Sequence, residues 1–195
     1  MNLHQTIRHY TVDEYIDRLT VYHGHFSPGL LLGGFMVDAA AKRMTRYEFF
    51  DAISETLLCL PDAIQILTPC TVGNGWLKII DTGRFAIALY EKQSGDGVRV
   101  SIDVSKLNPY PELRNWFMRL VAKHEQDHDA LKQEILAAGP GILSLKNIKV
   151  VPAYRGKQPN NRNAVCETCG EAYPENGSAW CAACQGMDIY TRGEL

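Results

Sequence analysis

The chemistry legible in this chain of 195 residues is carried by six cysteines and two histidine motifs. Cys166-Glu-Thr-Cys169 and Cys181-Ala-Ala-Cys184 are two C-x2-C pairs separated by eleven residues. Two close thiolate pairs can surround one metal tetrahedrally without distorting the chain, and Gly170 admits the tight turn after the first pair. This donor set points to structural Zn²⁺, with iron as the alternative, and four sulfur ligands leave no open position for catalysis. So short a segment holds too little apolar material to fold unaided, and the metal would supply its core.

In the body of the chain, His23-Gly24-His25 precedes Ser27-Pro28. Ser27 is placed to cap a helix, and Pro28 to occupy its first position, where a missing N–H breaks no hydrogen bond. The intervening glycine lets the chain turn so that both imidazoles face a common cavity. Cys59 and Cys70 lie at the edges of short predicted elements, either as sulfur donors to that cavity or as small buried hydrophobes. Asp62 is read first as the first-turn cap of a helix and second as the group that orients an imidazole or accepts a proton.

His124-Glu125-Gln126-Asp127-His128 satisfies H-E-x-x-H, in which two imidazoles one helical turn apart share a metal and the glutamate activates water. No clear third ligand follows, because Glu134 stands at an awkward angle on the same predicted helix. A metallopeptidase is the minor reading, and a histidine pair packed on a helix face is the plain one.

The elements that must position these residues follow from pattern. Thr11 to Tyr22 predicts a helix capped by Thr11, with Glu14 closing a capping box. A second helix runs from about Pro28 to Ala41. Its Gly33 and Gly34 place it in the interior, beneath a sheet or against a symmetry mate, since each glycine costs roughly 1 kcal/mol on an exposed helix. Tyr47 to Phe50 is ambiguous between strand and turn, Asp62 to Leu67 predicts a short helix, and Thr71 to Gly75 a loop. Strands are expected over 76–80, 85–91 and 98–104, with short connections that predict antiparallel neighbours. One long helix is expected over 112–138, with Leu113, Trp116, Phe117 and Ile135 on its apolar stripe. Residues 145–151 form a last strand or extended connection, and a polar linker follows over 155–163.

The length suits one domain of about 150 residues plus an appendage. A formal charge of −2 without a basic run argues against a nucleic-acid partner. The N-terminus has no secretory pattern and the apolar runs are too short to span a bilayer, so the expectation is a cytoplasmic protein without membrane contact. Cysteine pairs in such a reducing compartment favour metal over disulfides.

The block His23-Gly24-His25-Phe26-Ser27-Pro28-Gly29, with Asp62-Ala63-Ile64-Gln65 and Cys70-Thr71-Val72-Gly73-Asn74 downstream, resembles the FmdE family over roughly residues 15–150, the family named for the E chain of formylmethanofuran dehydrogenase. The resemblance implies an α+β core with a metal or active site, often followed by a separate metal module. It carries over His23, His25 and Cys70 as site residues, and Cys59 as the cysteine preceding the second block. Ser27 stands where the family commonly has cysteine, which removes a soft ligand, and Pro69 replaces a glycine before Cys70. The tungsten or molybdenum chemistry in the family's name belongs to other chains of that complex.

The resulting expectation is an α+β protein whose antiparallel or mixed sheet is packed with helices over residues 1–155, followed by a zinc ribbon over 160–195. The ribbon holds structural zinc through Cys166, Cys169, Cys181 and Cys184. The core holds a second zinc or other transition metal through His23, His25 and Cys70. Its expected role is metal-dependent redox or one-carbon metabolism on a small-molecule substrate, or else noncatalytic metal-dependent interaction or sensing. A homodimer is expected, packed through the glycine-bearing helix or the Trp116-Phe117 stripe, with a protein partner for the ribbon.

Overall fold

A computed structural model describes residues 6–46, 49–156, 162–187 and 190, and divides the chain into two compact units, Met1–Gly156 and Lys157–Leu195. The first unit is a mixed α/β domain. A two-stranded hairpin, β1 (Thr6–Ile7) with β2 (Tyr10–Thr11), leads into α1 (Val12–His23). The capping box forms as the sequence predicts: Glu14 N donates to Thr11 Oγ1 at 3.3 Å and Thr11 N donates to Glu14 Oε2 at 2.8 Å. Gly24 ends the helix at φ 88°, a left-handed conformation that glycine adopts without strain, and its N–H donates to Thr20 O.

The central element is α2 (Pro28–Arg43), buried along nearly its whole length. It packs against β5 (Ala86–Tyr90), β6 (Asp96–Ile102), α3 (Leu60–Leu67) and α5 (His128–Ala138). The small-residue face expected to admit a sheet or a second copy is filled from within the chain. The Tyr15 ring of α1 lies where a side chain at Gly34 would stand, and Tyr15 OH donates to Leu30 O at 2.9 Å. This contact locks α1 onto α2 and so fixes the loop between them, where His25 sits.

Beneath α2 lies a five-stranded sheet in the order β4-β3-β5-β6-β7, with β3 over Asp51–Ser54, β4 over Leu77–Ile79 and β7 over Leu143–Lys149. β3 runs parallel to β4 and antiparallel to β5, while β5–β6 and β6–β7 are antiparallel. The expectation that short connections make 76–80 and 85–91 neighbours is corrected here. β3 fills the slot beside β5, pairing Asp51 with Tyr90 through Ser54 with Ile87, and β4 joins β3's other edge through the α3 crossover. A parallel pair needs such a crossover, so β3 and β4 form a β-α-β unit inside an otherwise antiparallel sheet. Residues 47 and 48 of the ambiguous segment lie outside the described residues, and the strand begins at Asp51.

The long helix expected over 112–138 is two helices, α4 (Pro111–Phe117) and α5 (His128–Ala138). The chain reverses after α4 at Arg119, whose φ is 54°. α5 restarts with its own cap, Asp127 Oδ1 accepting from Ala130 N at 2.9 Å. Asp127 is a strong helix starter, and an apolar stripe continuing on both sides of it conceals the break from a count of periodic residues. Glu134 of α5 accepts from Leu113 N at 2.8 Å, satisfying one of the orphan amides at the start of α4.

The second unit is built on a hairpin, β8 (Asn163–Val165) with β9 (Ala172–Pro174), followed by a 3-10 turn over Ala183–Gln185. Part of the expected linker, residues 157–161, lies outside the described residues. No helix among the described residues is long and apolar enough to cross a membrane.

Candidate functional site

The four C-terminal cysteines come together by local turns. Cys166 follows β8, and Gly170 N donates back to Cys166 O at 2.9 Å with Gly170 at φ 73°. Cys181 N donates to Cys166 Sγ at 3.3 Å, and Cys184 rides on the 3-10 turn. All four Sγ atoms lie within 4.8 Å of one another. A tetrahedron with zinc–sulfur arms of about 2.3 Å has edges of about 3.8 Å. The Cys169–Cys181 sulfur separation is 3.8 Å, so the residues fit the metal. Backbone amides of Cys169 and Cys181 pull the Cys166 thiol down, while burial and the neighbouring sulfurs push Cys184 up, so holding all four as thiolates calls for a cation among them. Zinc bound here supplies structure, since the donor set leaves no position for substrate.

In the core, His23 is the last residue of α1 and His25 lies in the loop before α2, with ring centroids 4.8 Å apart. Asp62, in the first turn of α3, places Oδ2 2.6 Å from His23 Nδ1. A carboxylate only accepts, so Nδ1 carries a proton, and in the neutral ring the lone pair is on Nε2. Asp62 thus stands in the first turn of α3 without capping it, since the N-cap residue is Cys59 and no side chain caps the helix; its carboxylate is bonded to the imidazole instead. Ser27 occupies the N-cap position of α2 without making a side-chain cap; its Oγ instead lies 3.5 Å from Cys59 Sγ.

Cys59 is held by an unusual backbone. At φ 59° and ψ −54° it is the centre of a γ-turn closed by Leu60 N donating to Leu58 O at 2.6 Å. This conformation is rare for any side-chain-bearing residue and costs on the order of 1–3 kcal/mol. Gly29 makes room for it: a methyl at Gly29 would stand 2.9 Å from Cys59 Sγ.

Cys70 does not join the imidazoles. It is fully buried, its thiol donates to Phe50 O at 3.3 Å, and burial pushes the thiol up to about 11, away from the thiolate. Among the described residues the C-terminal cysteines are the one set of three or more metal-capable side chains within 4.8 Å, so His23, His25 and Cys70 do not form a ready-made triad. The loop after Cys70 is stitched to itself, with Asn74 Oδ1 accepting from Thr71 N and Trp76 N and Asn74 Nδ2 donating to Pro69 O. It does not line the cleft onto which His25 opens.

The H-E-x-x-H reading is also corrected. His124 and Glu125 lie in a 3-10 turn over Lys123–Glu125, Gln126 is extended, and His128 opens α5. Glu125 Oε2 accepts from Ala122 N at 3.1 Å. The two imidazoles do not share a helix face, so the zincin geometry is absent.

His25, Ser27 and Cys59 open onto a cleft of about 1090 Å³. Its far wall brings together residues with no sequence signal linking them: Arg84 and Phe85 before β5, Arg99 on β6, and Trp116, Phe117 and Arg119 at the end of α4. At its back, Glu55 is 7 % exposed and binds Arg99 Nε at 2.6 Å and Arg84 Nε at 2.7 Å. Burial opposes the Glu55 charge, but the hydrogen bonds and charge of Arg99, helped by Arg84, outweigh it and hold the carboxyl below its usual range.

Two family profiles match this chain. One, described as FmdE, molybdenum formylmethanofuran dehydrogenase operon, covers residues 22–151, and one described as the FmdE treble clef zinc finger covers 157–191. The crystal structure of an FmdE-like protein of the tungsten formylmethanofuran dehydrogenase type, from Syntrophus aciditrophicus, superposes with a TM-score of 0.89 at 46 % identity. That alignment covers 96 % of this chain and 98 % of the other. A probable S-adenosyl-L-methionine-binding protein of Archaeoglobus fulgidus is 26 % identical over 174 residues, 79 % of this chain and 47 % of that protein. The chain thus spans about half the length of this curated relative.

Proposed function

We propose, from the premise that this chain belongs to the FmdE family, that its core carries a second transition-metal site based on His23 and His25, serving redox or one-carbon chemistry on a small molecule in the adjoining cleft. The observation that carries this reading is the 2.6 Å contact between Asp62 and His23 Nδ1. A carboxylate that fixes one ring nitrogen as donor orients the other toward a metal, the usual support behind a ligating histidine. Cys59, rather than Cys70, is the sulfur on the cleft side, and the strain of its backbone is what a residue positioned for chemistry would carry. Bound there, a metal would supply Lewis acidity or redox capacity. The one-carbon reading draws further support from the Archaeoglobus relative, whose named ligand, S-adenosyl-L-methionine, is itself a methyl donor.

Elemental analysis of the full chain tests this. The expected result is two metal ions per chain, one lost in His23→Ala/His25→Ala and the other in Cys166→Ser/Cys169→Ser. Cys59→Ser should weaken retention of the core metal while Cys70→Ser leaves it unchanged. A single ion lost only with the C-terminal cysteines would overturn the core site and shift the weight to a noncatalytic role.

A further inference from the structure

The cleft is not electrically neutral. Its lining includes four Arg and Lys side chains and no Asp or Glu, in a chain whose formal charge is −2. Two of the four, Arg84 and Arg99, share the single buried charge of Glu55, so that trio retains one positive charge. The other two, Arg119 and Lys123, are exposed, and among the described residues neither side chain forms a hydrogen bond or ion pair. Concentrated cationic charge in a concave site with low-dielectric walls focuses the field on an anion.

Beside these cations stands an aromatic wall. Phe85 meets Phe117 edge to face at 5.8 Å, and Trp116 is tilted against Phe117 at 6.3 Å. All three are half-buried, with part of each ring left to the cleft. Aromatic walls with a few convergent charges are the usual composition of a site for a ring-bearing ligand, and the volume suits one of coenzyme size.

The backbone at Arg119 adds an independent observation. α4 closes with Leu120 N donating to Asn115 O at 2.9 Å and Arg119 N to Trp116 O at 3.2 Å, which puts Arg119 at φ 54° in the position where helices normally carry glycine. Glycine would relieve the strain of that turn, so the chain carries the arginine at some cost in backbone energy beside the cleft that it lines.

We infer that this cleft binds an organic anion of coenzyme size, with a planar ring against Trp116, Phe117 and Phe85 and a phosphate or carboxylate held by Arg119 and Lys123. This deepens the reading above by naming the ligand class of the same cleft. The charges and rings do not depend on a metal, so the two can fail separately.

The test is a fluorescence titration of the full, zinc-loaded chain with anilinonaphthalene sulfonate, an aromatic anion, and with N-phenylnaphthylamine, its neutral counterpart. The sulfonate should bind one saturable site per chain, at least about tenfold more tightly than the neutral ring, and weaken as salt rises. Arg119→Gly should weaken the sulfonate at least about tenfold while its melting temperature holds or rises, because the left-handed turn is relaxed. That pairing of lost binding with kept stability is one a merely structural arginine would not give. Lys123→Ala should weaken it further, and neither change should affect the neutral ring. The metal is read by elemental analysis and the anion by fluorescence on the same parent chain, so either result can fail while the other stands. Equal binding of the two probes, or undiminished sulfonate binding in Arg119→Gly/Lys123→Ala, would overturn the proposal.

Discussion

The four-cysteine cluster and the proposed core site are assembled in opposite ways. In the C-terminal unit four cysteines reach mutual distances within 4.8 Å through a hairpin and two tight turns, all inside nineteen residues from Cys166 to Cys184. In the core, His23 and its carboxylate partner are 39 residues apart, and Cys59 reaches Ser27 across 32. The first geometry is dictated by chain stereochemistry and needs only a metal to close it. The second exists only when α1, α2 and α3 are packed. Substitutions should therefore act on the first through its ligands and on the second through its scaffold.

The largest effect is expected from Cys166→Ser. Metal binding of this kind contributes apparent free energies of about 10–16 kcal/mol, so the C-terminal unit should lose its zinc and unfold. The dispersed amide signals of residues 162–187 would collapse; their survival would show that the unit has a core independent of the metal.

The scaffold of the other site can be broken without touching a ligand. Gly34→Ala drives a methyl into the Tyr15 ring and should destabilise the core by about 2–3 kcal/mol, lowering its melting temperature by roughly 5–10 °C. The same variant should weaken any core metal while leaving zinc in the C-terminal unit, which metal analysis after mild chelation would read.

Asp62→Asn asks a narrower question. It preserves shape but can present an amide N–H to His23 Nδ1, favouring the tautomer with its proton on Nε2. Core metal affinity should fall by about 10–100-fold with little change in melting temperature. An unchanged affinity would reduce Asp62 to a helix-start residue.

The smallest effect is expected at Glu55. Its pKa is depressed in the folded state, so its contribution to stability is full above the unfolded value of about 4.3 and is lost as pH falls through the folded value. Glu55→Gln, which cannot be charged, should be less stable than the parent at neutral pH, and the gap measured by denaturant unfolding should close on acidification. A gap independent of pH would mean that Glu55 acts by shape rather than charge.

The legibility of each region follows from the same contrast. The C-x2-C pairs and the Thr11–Glu14 cap are contacts between residues a few positions apart, and each appears where its pattern places it; Ser27-Pro28 marks the start of α2, but the Ser27 hydroxyl does not cap it. The break between α4 and α5 is hidden because apolar residues on both sides keep a helical period, while the decisive signal, Asp127 as a new cap, lies inside an H-E-x-x-H motif whose chemistry requires one helix. The neighbour of β5 is hidden for another reason: a short loop implies a hairpin unless another strand already occupies the slot, and β3 occupies it.

By itself the sequence determined the four-cysteine module, the α+β class of the core and the family, because these rest on local spacing and on segments read in register. Only the tertiary structure decided which cysteine lines the cleft with His25. Cys59 and Cys70 are equivalent as letters, but burial against β3 and a bond to Phe50 hold one as a neutral thiol, while a strained turn beside Gly29 presents the other to the cleft. The charge of that cleft was equally invisible along the chain. Arg84, Arg99 and Arg119 come from separate elements, and a field is set by distances in space rather than by separations in sequence.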